Sequence, residues 1–166
     1  MLRRSLAITA LLLTACTDPA GEDDTGTADD TGGPTIDVPT DAAGLATWLA
    51  DESYAGWSAE SAVHDATGNS PHGRVRTYFN DVLEASFGAG NESHTVGSAS
   101  VKELYDAMDT RVGWAVMVKI AEGDAADTWY WYIDNGGATM DGNGLGGCNG
   151  CHSAGTDRVV TAYPLQ

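Results

Sequence analysis

Alternating apolar and polar residues mark four strand-like segments in the second half of the chain. These segments cover residues 74–80, 98–105, 113–120 and 128–133, and they are rich in β-branched and aromatic residues, as strands are. In the last of them the tryptophans and an isoleucine alternate with tyrosines. Strands that follow one another without long intervening helices favour an antiparallel sheet.

Helical spacing appears in two shorter segments. Asp41 is placed to cap a helix that continues to about Asp51, with apolar residues three and four positions apart between them. Residues 81–87 predict one or two helical turns ended by Gly88. The predicted fold class is α+β, with a mainly antiparallel β-sheet and an N-terminal helix.

The first sixteen residues have the pattern of an export signal. Two arginines precede an apolar run over residues 6–13, and small residues lead to Cys16. The run is short for a membrane span, which needs about 20 apolar residues. The sequence Leu-Thr-Ala-Cys resembles the lipobox of bacterial lipoproteins, which implies cleavage before Cys16 and acylation of its thiol. We therefore predict a signal peptide at 1–15; the alternative is an ordinary secretory signal with an incidental cysteine.

An acidic segment follows the predicted signal. Residues 21–33 repeat Asp-Asp-Thr-Gly and contain no large apolar side chain. Such a stretch buries too little surface to offset its ordering entropy, and its charges extend it. It lacks the ligand spacing of a calcium loop. We predict a flexible tether over 16–38 and a folded domain over 39–166.

The charge balance is strongly acidic. The chain has a formal charge of −16, and loss of Arg3 and Arg4 with the signal would make it −18. Nucleic-acid binding is excluded as a function class, because phosphates require a basic face. Attachment to a membrane would depend on the acyl group at Cys16. The expected location is the periplasmic side of a membrane or the cell surface.

The motif that carries chemistry is Cys148-Asn-Gly-Cys151-His152, which has the spacing of c-type haem attachment. Two thiols three positions apart can each add to one vinyl group of a haem, and the next histidine can bind the iron as proximal ligand. Export fits this chemistry, since exposed thiols do not persist outside the cytosol. We predict one covalent haem c in a C-terminal attachment loop. Residues 135–150, with seven glycines, predict no compact element forming by itself.

Three alternatives remain for the two cysteines. They could form half of a zinc site completed by a distant histidine, a thioredoxin-like redox pair, or a structural disulfide. The redox pair requires a βαβ context that the strand pattern does not predict. The histidines available to a zinc site are His64, His72 and His94.

Several motifs in residues 70–166 together resemble the cytochrome P-460 family, which includes the cytochromes c′-beta. They are the segments 70–80, 101–105, 113–119 and 129–132, followed late in the chain by the C-x-x-C-H motif and Asp157-Arg-Val-Val. Small helical cytochromes c carry this motif near the start of the folded domain, whereas here it follows the strands. The order of the motifs is more specific than any one of them.

The resemblance implies a mainly antiparallel β fold, a homodimer and a five-coordinate haem c. The open iron position would bind a small diatomic or hydroxylamine-type ligand, and electrons would pass to a redox partner protein. Some members of the family oxidise hydroxylamine and carry a lysine–haem crosslink. Lys102 matches that lysine; its alternative is a solvated strand lysine. Whether the chain is such an oxidoreductase stays open.

One departure from the family concerns a carboxylate that the hydroxylamine-oxidising members carry above the haem. The matching position falls near Ala115, which cannot accept a proton. Glu103 and Asp106 are the nearby carboxylates that could replace it. An apolar surface there would instead favour uncharged diatomic ligands.

The remaining candidates have simple structural interpretations beside the functional ones. A methionine as sixth iron ligand would make a six-coordinate electron carrier without substrate chemistry; the candidates are Met108, Met117 and Met140. We predict His72 in a turn, His64 and His94 exposed, and Trp129 and Trp131 in the core. Arg74 and Arg76 could pair with haem propionates or lie on the outer face of a strand.

Overall fold

The described part of the chain, residues 35–68 and 70–166 of a computed structural model, contains one seven-stranded sheet. The predicted signal peptide, Cys16 and most of the predicted tether lie outside the described residues. The strand order is β1-β3-β4-β5-β6-β7, with β2 also paired to β3, and every pairing is antiparallel. The fold is therefore α+β with a mainly antiparallel sheet, as the sequence predicted.

The elements follow the chain in this order: α1 (Ala42–Ala50), β1 (Ser58–Ala59), β2 (His64–Asp65), β3 (Arg74–Phe79), α2 (Asp81–Gly88), β4 (Ala99–Tyr105), β5 (Arg111–Lys119), a 3-10 turn (Ala126–Thr128), β6 (Trp129–Asp134), β7 (Thr139–Asn143) and α3 (Gly146–His152). No helix in the described ranges has the length and apolar character to cross a bilayer.

Both longer helices begin at side-chain caps. The Asp41 carboxylate accepts a hydrogen bond from the Gly44 amide at 2.8 Å, at the position where the sequence predicted a cap. The Asn80 side chain accepts from the Leu83 amide at 2.9 Å and starts α2. These bonds satisfy backbone donors that the first helical turn leaves free.

The alternation in the strands divides the core between the two faces of the sheet. On one face, valines and tyrosines of the central strands pack with Leu45 and Leu49 of α1. On the other face, Phe79, Trp129 and Trp131 pack with residues of α2 and the C-terminal segment. Trp129 and Trp131 are buried, as predicted, because period-two alternation assigns each side chain to a face.

The glycine-rich segment gains its order from a neighbouring strand. β7 pairs with β6 from Asp134 opposite Thr139 to Tyr130 opposite Asn143. The pairing uses backbone groups, so it needs no large side chains. Gly136 lies in the connecting turn with φ 78°, which a glycine adopts without strain.

The predicted exposure of His94 is wrong. Its side chain is fully buried, with its ring 4.4 Å from that of Phe87 and its Nδ1 atom 3.0 Å from the Ser86 hydroxyl. The surrounding sequence is polar, but α2 and the C-terminal segment cover this residue. Burial lowers the pKa of His94.

Candidate cofactor site

The Cys-x-x-Cys-His motif forms the end of helix α3. Cys148 and Cys151 are free thiols in the described structure, the first half-buried and the second exposed. Residues three and four positions apart share one face of a helix, so both cysteines and His152 are presented together. Asn149 fastens the helix, because its amide donates to the carbonyl of Ala126 at 3.2 Å. Burial raises the pKa of the Cys148 thiol.

The ring of His152 is held in one tautomer. Its Nδ1 atom lies 2.8 Å from the carbonyl oxygen of Arg158. A carbonyl only accepts, so Nδ1 carries the proton and Nε2 keeps a free lone pair. Burial lowers the pKa of His152, against the opposing effect of the Arg158 carbonyl. The residue is therefore a neutral imidazole with a metal-binding nitrogen available.

Two cavities adjoin this helix. One measures about 350 Å³ and the other about 840 Å³, both within the range of small-molecule and cofactor sites. His72, Lys102, Cys151 and His152 line both of them. Two of the three predicted attachment residues, Cys151 and His152, therefore lie at the boundary between the cavities, and Cys148 lines the smaller one.

A single row of side chains crosses the sheet beneath the cavities. Thr77, Lys102, Ala115, Ile133 and Met140 are direct cross-strand partners on β3 to β7. All five line one or both cavities. Lys102 and Ala115, which belong to separate motifs of the sequence, are direct partners in this register.

The smaller cavity is mostly apolar. Ala115, Ile133 and Met117 contribute to its wall, and Met117 is 5% exposed. Met140, the first candidate for a sixth ligand, also lines it but is 57% exposed. Met108 is 82% exposed and lines neither cavity. The methionines near the motif are thus Met117 and Met140.

Lys102 is a half-buried amine between the two cavities. In the described residues it makes neither a hydrogen bond nor an ion pair within standard distances. Burial lowers its pKa, because desolvation disfavours the charged form, and Glu60 opposes the shift. A larger fraction of Lys102 is therefore the neutral, nucleophilic amine than for a solvated lysine.

Two polar groups beside His152 lack partners among the described residues. The Trp131 ring is 4.8 Å from the His152 ring, and its buried Nε1 donor is unpaired. The His72 ring lies in the predicted turn, 6.4 Å from the His152 ring, and its buried Nδ1 is also unpaired. Burial, followed by Lys102 and His152, lowers the pKa of His72 to about 4. Buried unpaired polar atoms are rare and suggest a further partner.

The wall of the larger cavity contains Glu60, which sequence analysis missed. Glu60 is 8% exposed, and among the described residues it is the one acidic side chain that lines either cavity. Its Oε2 atom accepts from the Thr77 amide at 2.6 Å and lies 3.0 Å from Nε2 of His64. No motif marks Glu60, because its burial depends on the pairing of β1 with β3.

His64 connects Glu60 to solvent. Its side chain is 44% exposed, as predicted, and its Nδ1 atom lies 2.9 Å from the Asp65 carbonyl. The Asp65 carbonyl, followed by Glu60, raises the pKa of His64. The pair can therefore accept a proton on the cavity side and release it on the solvent side.

The structure places the other candidate carboxylates away from the cavities. Glu103 lies on the opposite face of β4 and accepts hydrogen bonds from the hydroxyls of Tyr54, Tyr78 and Tyr105. Asp106 accepts from the Met108 and Thr110 amides in a turn. Neither can replace a carboxylate at Ala115, because neither lines the cavities.

Both candidate arginines are bound elsewhere. Arg74 pairs with Asp109 and, at 3.5 Å, with Asp65. Arg76 donates to the Glu60 carbonyl at 2.8 Å and lies over the Tyr78 ring. Neither arginine lines a cavity. Of the two alternatives that the sequence left open, a position on the outer face of a strand therefore describes them.

The donor set suits a porphyrin better than a bare metal ion. Within residues 35–68 and 70–166, no group of three or more histidine, cysteine, aspartate or glutamate side chains is arranged to hold a metal ion. A haem supplies four ring nitrogens and needs one protein nitrogen, which His152 offers. Its apolar ring suits the mostly apolar lining of the smaller cavity. The residues therefore fit a covalently attached haem.

No known protein is similar enough to this chain to indicate its family. The chain matches no protein-family model, no curated protein and no solved structure.

Proposed function

We propose that this chain is an exported mono-haem c-type cytochrome that binds small uncharged nitrogen species, such as nitric oxide, at an open iron position. Cys148 and Cys151 would hold the haem through thioether bonds, and His152 would bind the iron. The observation that carries the proposal is the neutral His152 ring, with Nδ1 bonded to the Arg158 carbonyl and Nε2 free beside two thiols. When bound, the haem supplies an iron centre that coordinates the small ligand.

The apolar floor supports an uncharged ligand. Ala115 and Ile133 contribute no hydrogen-bonding or charged side-chain group to the smaller cavity. Against these two side chains an ionised ligand would lose hydration without gaining a polar contact from them, whereas a diatomic molecule loses little. This agrees with the expectation from the resemblance to the cytochromes c′-beta.

A second candidate function is oxidation of hydroxylamine, and Glu60 and Lys102 favour it. Removal of protons from such a substrate needs a base, and Glu60 with His64 provides a route from the larger cavity to solvent. The half-buried amine of Lys102, whose pKa is lowered by desolvation, is the group that a haem crosslink would use. The crosslink at Lys102 is part of this second proposal.

The alternative electron-carrier function would use a methionine sulfur as sixth ligand. Met140 lines the smaller cavity on the same row as Lys102. Met117 lines the same cavity and is 5% exposed, whereas Met140 is 57% exposed. Homodimer formation and a redox partner protein are parts of the proposal that rest on the resemblance to the cytochrome P-460 family, and acyl anchoring at Cys16 rests on the lipobox pattern.

The decisive experiment produces the full chain in cells that export and attach haem. Intact mass spectrometry should show one haem added, and Cys148→Ala with Cys151→Ala should abolish the addition. The ferrous protein should be high-spin and should change its absorption spectrum on addition of nitric oxide. Ser153→Ala, next to the motif, is the matched control and should retain both properties.

Each result separates the alternatives. A low-spin spectrum that nitric oxide does not change would support the electron carrier. A wild-type mass reduced by two hydrogens, without haem, would indicate a disulfide between the two cysteines and would refute the proposal. A further covalent bond between the haem and a Lys102 peptide would support the crosslink.

A further inference from the structure

The loop that follows the haem motif has an unfavourable backbone conformation. Asp157 and Arg158 have φ values of 41° and 74°, in the left-handed region that few side chains adopt. The loop is closed by a backbone bond from the Val159 amide to the Thr156 carbonyl at 2.9 Å. At Gly155 an added Cβ would lie 2.3 Å from the Val159 carbonyl oxygen. The left-handed conformation of Asp157 and Arg158 persists only when other contacts enforce it.

The Asp157 carboxylate provides those contacts. Its Oδ2 atom accepts from Lys119 Nζ at 2.7 Å and from the His94 amide at 2.8 Å. Its Oδ1 atom accepts from Trp129 Nε1 at 3.2 Å. This one carboxylate therefore links the loop to the sheet and to the segment that follows α2.

This ion pair is almost completely excluded from solvent. The side chains of Lys119 and Asp157 are 0% and 1% exposed. Lys119 also donates to the Thr128 hydroxyl at 3.1 Å and to the Gly123 carbonyl. Buried charges are tolerated when they are paired and fully hydrogen-bonded, so this contact has a well-defined geometry.

We infer that Asp157 is a positioning residue that fixes the ring orientation and tautomer of His152. The Arg158 carbonyl that accepts from His152 Nδ1 belongs to the residue directly after Asp157. Anchoring the carboxylate holds that carbonyl in place, and a fixed Nδ1–H bond directs Nε2 toward the cavity. Partners of this kind orient a metal-binding histidine and increase its basicity. The expected effect on the iron rests on the proposed function, whereas the expected effect on the orientation and tautomer of the His152 ring does not.

The test compares two variants that each alter a buried carboxylate. Asp157→Asn keeps the size of the side chain but removes the charge that holds Lys119. Glu103→Gln is the matched control, because Glu103 is also buried and multiply hydrogen-bonded but lies on the opposite face of the sheet. If Asp157→Asn does not fold, the double variant Lys119→Met with Asp157→Asn removes both charges and avoids an unpaired lysine.

The first measurement is the nitrogen NMR spectrum of His152 in the protein as purified. Wild type and Glu103→Gln should show the tautomer protonated at Nδ1, and the Asp157 variant should show a mixture of tautomers. In haem-loaded protein, the iron–histidine stretching frequency should fall and the reduction potential should rise in the Asp157 variant alone. A folded Asp157 variant with an unchanged His152 spectrum would overturn the inference. Absence of haem from the wild type would contradict the proposed function and leave the NMR test intact.

Discussion

The role of Glu60 can be tested by one conservative substitution. Glu60→Gln keeps the size of the side chain and leaves an oxygen that can accept from the Thr77 amide, which the carboxylate now does at 2.6 Å. It removes the negative charge and the ability to accept a proton. The pairing of β1 with β3 should therefore persist, while any proton transfer through Glu60 and His64 should stop.

The expected magnitudes separate a structural role from a chemical one. Replacing a charge-assisted hydrogen bond by a neutral one should cost about 1–2 kcal/mol of stability. Loss of a positioned base typically reduces a rate by about 10²–10⁴-fold. A loss of two or more orders of magnitude in the rate of hydroxylamine oxidation therefore exceeds what partial destabilisation of a folded protein explains.

The assay follows hydroxylamine consumption with an artificial electron acceptor and compares it with nitric oxide binding by the same samples. Glu60→Gln should lose the first activity and retain the second, because the smaller cavity and its Ala115 floor are unchanged. Glu103→Gln, on the opposite face of the sheet, should retain both. Full oxidation activity in the Glu60 variant would refute the reasoning, and no activity in the wild type would remove the second candidate function.

Four further results are expected. Lys102→Met should abolish any haem crosslink seen by peptide mass spectrometry while leaving attachment at the two cysteines. Gly113→Ala should lower the unfolding temperature strongly, because its Cβ would lie 1.9 Å from the Asp134 carbonyl oxygen. Lys119→Ala should cost about 3–5 kcal/mol in denaturant unfolding, since it leaves the Asp157 charge buried and unpaired. Burial alone would raise the pKa of Glu103, but hydrogen bonds from Tyr105, Tyr54 and Arg111 hold it below the ordinary value. The stability of the wild type should therefore fall as the pH decreases below about 4.3, because Glu103 must then bind a proton on unfolding. Glu103→Gln should make the stability depend less on pH in this range.

The sequence predicted the strands and their faces well, because alternation is a local property. Trp131 and Tyr132 follow each other in the chain, and the structure places them on opposite faces. The prediction of the strands needed no knowledge of distant parts of the chain. At the Cys-x-x-Cys-His motif the sequence predicted an attachment loop, whereas Gly146–His152 forms helix α3.

Predictions that depended on distant contacts were incomplete or wrong. His94 lies in a polar stretch, yet its amide donates to Asp157, 63 positions away. Glu60 becomes a cavity residue only through the pairing of Ala59 with Tyr78. The glycine-rich segment is ordered by the pairing of β7 with β6. The sequence did not predict this pairing, because backbone hydrogen bonds leave no pattern of apolar side chains.

The cross-strand row from Thr77 to Met140 has a consequence for how this site could diversify. Each of five successive strands supplies one side chain to the row, while the backbone hydrogen bonds of the sheet are independent of those side chains. A single codon change at Ala115 or Ile133 could therefore introduce an acid, an alcohol or a bulky ring without rebuilding the scaffold. Under the proposed function, the side chains that would contact a ligand and the backbone pairing that stabilises the sheet are therefore largely independent, so the first could change while the second is kept.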